Sequence, residues 1–244
     1  NQPTALTAAE QRNAFFGETR KQIKALVKGL EQAELDGGFW GFSNARMAYD
    51  DILSRVALFL EQKSLKKRVT AGSLADRFRS GNAFNSMAMD SLCQVIRLCG
   101  EAKASMTITP QFNKATAQSW LIFLATARIH IGEALTPSAV GGFISAFERN
   151  RFEHASGLFD GHAIEHKLRT LLFRAYEDRA TARVADALSV QTRDLVIWSF
   201  FLLDCPSGLT ETFRNKQAFR ELLRLLDAPN LDSWQNVEKV VASL

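Results

Sequence analysis

Lys103-Ala-Ser-Met-Thr-Ile-Thr-Pro110 is the stretch on which the architecture turns, because here a sequence otherwise periodic at three and four residues changes to alternation. Met106 and Ile108 fall to one side and Ser105, Thr107 and Thr109 to the other, the two-residue repeat of a strand. A lone strand leaves its backbone donors and acceptors unpaired. A partner is therefore required, and the same segment of a second copy of the chain can supply it.

On the C-terminal side of this stretch, Pro110 can close a strand and open a helix, and residues 111–131 carry Phe112, Leu121, Ile122, Leu124 and Ile129 in a helical run. Gly132-Glu-Ala-Leu-Thr-Pro-Ser138 reads as a turn, after which Thr136 is a natural N-cap with Pro137 at the first helical position. On the N-terminal side, residues 6–35 place Phe15, Phe16, Ile23, Leu26, Val27 and Leu30 at amphipathic-helix spacing, opened by a Thr7/Glu10 capping box. The Gly37-Gly38-Phe-Trp-Gly41 cluster predicts a turn. Further helices are expected over 44–62 and 85–100, the second capped by Gly100. The fold expected is mainly α, with helical regions flanking one short intersubunit strand.

Strand, helix, glycine turn and Thr-capped helix in that order resemble the ribbon-helix-helix DNA-binding family. The matching residues are Met106-Thr-Ile-Thr109, Gly132 and Leu135-Thr-Pro-Ser-Ala-Val140. The resemblance implies a homodimer whose paired strands form an antiparallel ribbon in the DNA major groove. It implies base contacts from Ser105, Thr107 and Thr109, with Lys103 beside them. It further implies a phosphate held at the start of the second helix by Thr136, Ser138 and Ala139. The unit would span 101–152, between an N-terminal helical region (1–100) and a C-terminal one (153–244). Those large flanks resemble the accessory domains of activators found on large conjugative plasmids.

Charge adds a second candidate surface. Lys63, Lys66, Lys67, Arg68, Arg77 and Arg79 lie within 63–79 against the single anion Asp76, the densest basic stretch of the chain. Such a run is either a solvated helix end and loop or a phosphate-contacting patch. The overall surplus of +4 in 244 residues permits a polyanionic partner without requiring one.

Other classes find less support. The 46% hydrophobic content excludes a disordered tail or a collagen-like rod. The longest apolar run, Leu195-Val-Ile-Trp-Ser-Phe-Phe-Leu-Leu203, is about half the length that a membrane span needs. Cys93, Cys99 and Cys205 form no C-x-x-C pair, so a reducing cytoplasm is the compartment expected. His162-Ala-Ile-Glu-His166 has the spacing of an inverted zinc-peptidase motif, with His154 upstream. It reads instead as the solvated side of a helix, so neither a metal nor another cofactor is expected. No phosphate-binding glycine loop and no nucleophile elbow occurs, and no enzymatic activity is expected. Trp40, Trp120, Trp198 and Trp234 sit in apolar stripes and read as core. Residues 183–226 echo the helix, Gly-Leu-Thr turn, helix order, and 232–244 carry a narrow apolar stripe.

The function expected is that of a sequence-specific regulator of transcription binding double-stranded DNA as a dimer. The rival expectation is a helical assembly subunit, nucleocapsid-like or secretion-associated, that binds nucleic acid or protein without reading sequence.

Overall fold

The computed structural model describes residues 5–156, 164–181 and 186–204. Among these residues ten α-helices follow one another: α1 (Ala8–Arg12), α2 (Glu18–Gln32), α3 (Gly37–Trp40), α4 (Ala48–Gln62), α5 (Ala71–Ser80), α6 (Ser86–Ala102), α7 (Lys114–Ile131), α8 (Pro137–Ala155), α9 (Ile164–Thr181) and α10 (Ala187–Asp204). The chain is mainly helical, and none of the described helices is long and apolar enough to cross a membrane.

The centre is α7. Its residues from Ala115 to Ala125 are all buried, the polar Thr116, Gln118 and Ser119 among them, since neighbouring helices cover the helix on every side. It packs against α4, α6 and α10, while α2 closes over α4 and α6, and α8 lies along α6. Between α7, α8 and α10 the core is aromatic: Trp120 meets Phe147 edge-on at 5.2 Å, and Phe123 meets Trp198 at 4.7 Å. Edge-to-face rings add directional attraction to the burial of a large apolar area. Trp40, Trp120 and Trp198 are all buried, as core residues should be. The apolar cluster runs from Ile23 to Leu202 and includes side chains from both sides of residues 100 and 152.

Local signals hold where local chemistry suffices. Thr7 and Glu10 form the capping box, and Thr136 caps α8 with Pro137 at its start. Elsewhere distant contacts decide. The helix expected over 6–35 is broken between α1 and α2, since Gly17 takes φ +148° and lies against Gly81; a Cβ there would meet the Gly81 Cα at 2.6 Å. The glycine cluster at 37–41 forms a short helix, N-capped by Asp36 and ended by Gly41 in the left-handed region. Gly100 lies within α6 rather than capping it, and a Cβ would sit 2.9 Å from the Cβ of Ala33, so the missing side chain lets α2 approach.

The alternating stretch is the main departure. No strand occurs among the described residues, and Lys103–Ser105 continue α6 as a single 3-10 turn before Met106 becomes extended. The physical reason lies on α8, where Pro137, Gly141 and Ser145 form a stripe four residues apart. A Cβ on Gly141 would fall 2.2 Å from Ser105 Oγ and 2.5 Å from the Ala102 carbonyl oxygen, so glycine opens a notch for the segment. Ser105 Oγ donates to the Ala102 carbonyl oxygen (2.9 Å) and lies 3.3 Å from that of Pro137. The Thr107 N–H donates to Ser145 Oγ (2.9 Å). Further on, the Gln111 N–H points to Glu148 Oε2 at 3.4 Å. Backbone groups that a sheet ladder would have paired thus find side chains of α8, and Met106 packs on the core.

Candidate nucleic-acid interface

The basic run after α4 is built from the helix outward. Lys63 ends α4 in the left-handed conformation (φ +50°), a position that usually falls to glycine, and its charge sits at the negative end of the helix. Ser64 Oγ accepts the Lys66 N–H at 3.2 Å, turning the chain. Val69 is buried, and its carbonyl accepts from Arg55 at 2.8 Å. Thr70 then caps α5 in a box with Ser73. With Leu65 packed on the core and Val69 anchored, Lys63, Lys66, Lys67 and Arg68 project outward.

The six cations of this run divide into two groups. Lys63, Lys66 and Lys67 are exposed and form no ion pair among the described residues, while Arg68 reaches Asp186 at 3.4 Å in a largely solvated contact. Such surface pairs contribute little. Arg77 is instead structural: it binds Glu61 (2.6 Å) and the Ala83 carbonyl (2.6 Å), and it stacks over Phe84. Arg79 pairs with Asp76 at 2.7 Å and lies over Phe15. The nearest upstream carboxylate, Glu61, is occupied by Arg77 and by the Asn85 N–H, so it does not neutralise the loop.

The base-reading residues expected from the sequence have a different setting. Thr107 and Thr109 are exposed, and Thr107 Oγ1 accepts from Arg149 at 3.3 Å. Ser105 is half-buried with its hydroxyl engaged, and Lys103 Nζ donates to the Glu34 carbonyl (2.9 Å) beside the Glu34 carboxylate (3.3 Å). Glu34 and Asp36 line the same cleft of about 360 Å³ as Lys103, Thr107 and Thr109. Two carboxylate residues in its lining oppose the approach of a phosphate backbone. At the start of α8 the Thr136 hydroxyl takes the Ala139 N–H (3.2 Å), leaving one amide fewer for an anion; Ser138 is exposed.

Nor are the two surfaces adjacent. Asn85, at the N-terminus of α6, bonds Glu61 near the basic loop, whereas Lys103 follows the C-terminus of the same helix. Seventeen residues of helix, about 25 Å, lie between them.

One exposed group runs against its sequence pattern. Phe16, which its spacing places on the buried face of a helix, is 86% exposed, and the Arg20 guanidinium lies 5.6 Å from its ring centroid. The signal for this is Gly17 directly after Phe15-Phe16, since a glycine break there takes Phe16 out of the helical register.

Among the described residues no group of three or more His, Cys, Asp or Glu side chains is arranged to hold a metal. His162, Cys205 and Trp234, residues 183–185 and 205–226 of the echo, with its Gly-Leu-Thr turn at 208–210, and the stripe at 232–244 lie outside the described residues. Side chains at 165 and 166 do too. No family model, characterised protein or solved structure matches this chain.

Proposed function

We propose that this chain is a helical nucleic-acid-binding protein, a binder and not an enzyme, that grips the phosphate backbone without reading sequence. The observation that carries the reading is the loop after α4, where Lys63, Lys66 and Lys67 stand exposed and unpaired among the described residues beside the loosely held Arg68. The contrast with neighbouring cations supports it, since Arg12, Arg55 and Arg77 are each bound to a carboxylate inside the fold. Unpaired lysines on a pinned loop attract polyanions and release the counterions condensed on them.

The test is fluorescence anisotropy with labelled duplex and single-stranded oligonucleotides over a range of salt. Lys63→Ala/Lys66→Ala/Lys67→Ala should weaken binding to every sequence alike. It should also flatten the dependence of log affinity on log salt by about 2 to 3, roughly 0.7–0.9 for each phosphate no longer neutralised. An unchanged slope would refute the loop as the phosphate-binding element.

A second reading, the dimeric regulator that selects a duplex sequence, draws on the exposed hydroxyls of Thr107 and Thr109 in an extended segment. It requires residues 106–109 to leave α8 and pair with a second copy. Thr107→Ala should then relax preference at one base position when retained random duplexes are sequenced.

A further inference from the structure

The turn between α1 and α2 holds a phenyl ring in water beside unneutralised positive charge. Phe16 is 86% exposed, and Arg20, whose guanidinium lies over the ring, bonds the Asn13 side-chain oxygen at 3.3 Å and no carboxylate among the described residues. The neighbouring Phe15 carries Arg79 over its own ring at 5.7 Å. The ring is not displayed by a loose loop. Gly17 at φ +148° is pressed against Gly81, and the Glu18 N–H donates to the Gly81 carbonyl at 2.9 Å, so the backbone is tied on the C-terminal side of Phe16. On its N-terminal side the Phe15 N–H bonds the Arg12 carbonyl at 3.1 Å.

This ring belongs to the same structural unit as the basic loop. Arg79, in the last turn of α5, touches Phe15, while Lys66 and Lys67 precede the first turn of that helix. Helix α5 itself is ten residues, about 15 Å, long, a length that an extended strand of a few nucleotides covers. Asp76 stands on α5 between them, its charge offset by Arg79.

We infer that Phe16 is a stacking platform for an unpaired base, flanked by Arg20, and that this ring and the lysine loop preceding α5 together bind single-stranded nucleic acid. The inference rests on the phosphate-grip reading above and specifies its substrate class. A duplex hides the faces of its bases, whereas a single strand offers them to an aromatic side chain whatever their sequence. Arg20 at the exposed ring and the unpaired lysines before the far end of α5 suit a polyanion, and they set this ring apart from an apolar protein contact.

The experiment compares Phe16→Ala, Phe16→Leu and Phe16→Trp with the parent chain, using a short single strand carrying 2-aminopurine and a duplex of the same sequence. Phe16→Ala and Phe16→Leu should weaken single-strand binding by roughly 5- to 100-fold and abolish the change in 2-aminopurine emission. Both should leave duplex affinity within about twofold and the salt slope unchanged, since every phosphate-binding cation remains in place. Phe16→Trp should restore both affinity and emission change. Equal single-strand affinity for all variants, equal losses on single strand and duplex, or full rescue by leucine would each overturn the inference. If the triple lysine variant still flattens the salt slope in that case, the phosphate grip survives without the stacking site; if the parent chain binds neither oligonucleotide, both fall.

Discussion

Residues 63–70 and 103–111 are alike in sequence: each follows a long helix, each is polar with a few apolar residues, and each carries lysine. They differ in what lies opposite. The second segment faces a notch at Gly141 flanked by acceptors on Pro137 and Ser145, and its hydroxyls and backbone N–H groups are drawn onto α8. The first is anchored in the core by Leu65 and Val69, and its three lysines remain in solvent without an ion pair among the described residues. Charge and alternation mark a segment as polar, whereas the shape of the neighbouring helix decides whether that polarity is free for a ligand.

The largest effect should come from filling the notch. Gly141→Val would drive side-chain atoms into Ser105 and the Ala102 carbonyl, and overpacking against backbone should destabilise by about 3 kcal/mol. Urea unfolding measures the loss, and hydrogen exchange should show residues 103–111 losing protection first. A variant with the parent's midpoint would break the contrast, because the segment would then not need the notch. Ser145→Ala should cost less, about 1–2 kcal/mol, since it removes one acceptor and leaves the Thr107 N–H to find water. Neither change should alter exchange in 63–70.

How much of this is legible in the sequence depends on distance along the chain. The Thr7/Glu10 box and the Thr136-Pro137 start need residues within one helical turn, and both are present in the fold. The helical run over 111–131 is likewise present as α7, although its burial on every side depends on the neighbouring helices. Gly17, Gly100 and Gly141 are different, because each is small for the sake of a partner 36 to 67 residues away: Gly81, Ala33 and Ser105 respectively. Read locally, Gly100 is a cap and Gly141 a weak point in a helix. Met106-Thr-Ile-Thr109 reads as a strand since alternation reports one buried and one exposed side, which docking on a helix satisfies equally well. At the candidate site the density of positive charge is legible, but its division is not. Nothing within 63–79 reveals that Arg77 is held by Glu61 and Phe84 while Lys66 and Lys67 are free of ion pairs among the described residues.

The smallest predicted effect separates the two segments by pH. Glu148 anchors the far end of the docked segment through Gln111, and Arg151 bonds both the same carboxylate and the Gln111 carbonyl. Burial raises the Glu148 carboxyl above its ordinary 4.5, and Arg151 and the Gln111 N–H offset only part of that rise. A carboxyl with a raised folded-state value holds a proton that the unfolded chain has released. Its contribution is therefore complete below about 4.5 and lost as pH climbs through the folded-state value. Glu148→Gln keeps an acceptor for Gln111 without the buried charge, and Arg151 retains Glu177. The variant should accordingly lie within about 1 kcal/mol of the parent and flatten the fall in stability across that interval. Exchange at 103–111 should become faster in the parent as pH rises beyond the ordinary carboxylate range, after correction for intrinsic rates, and less so in Glu148→Gln. The loop at 63–70 should show no such component, as it contains no carboxylate. A parent chain whose corrected exchange at 103–111 is independent of pH would show that the raised carboxyl does not control docking, and would leave the Gly141 notch as its main determinant.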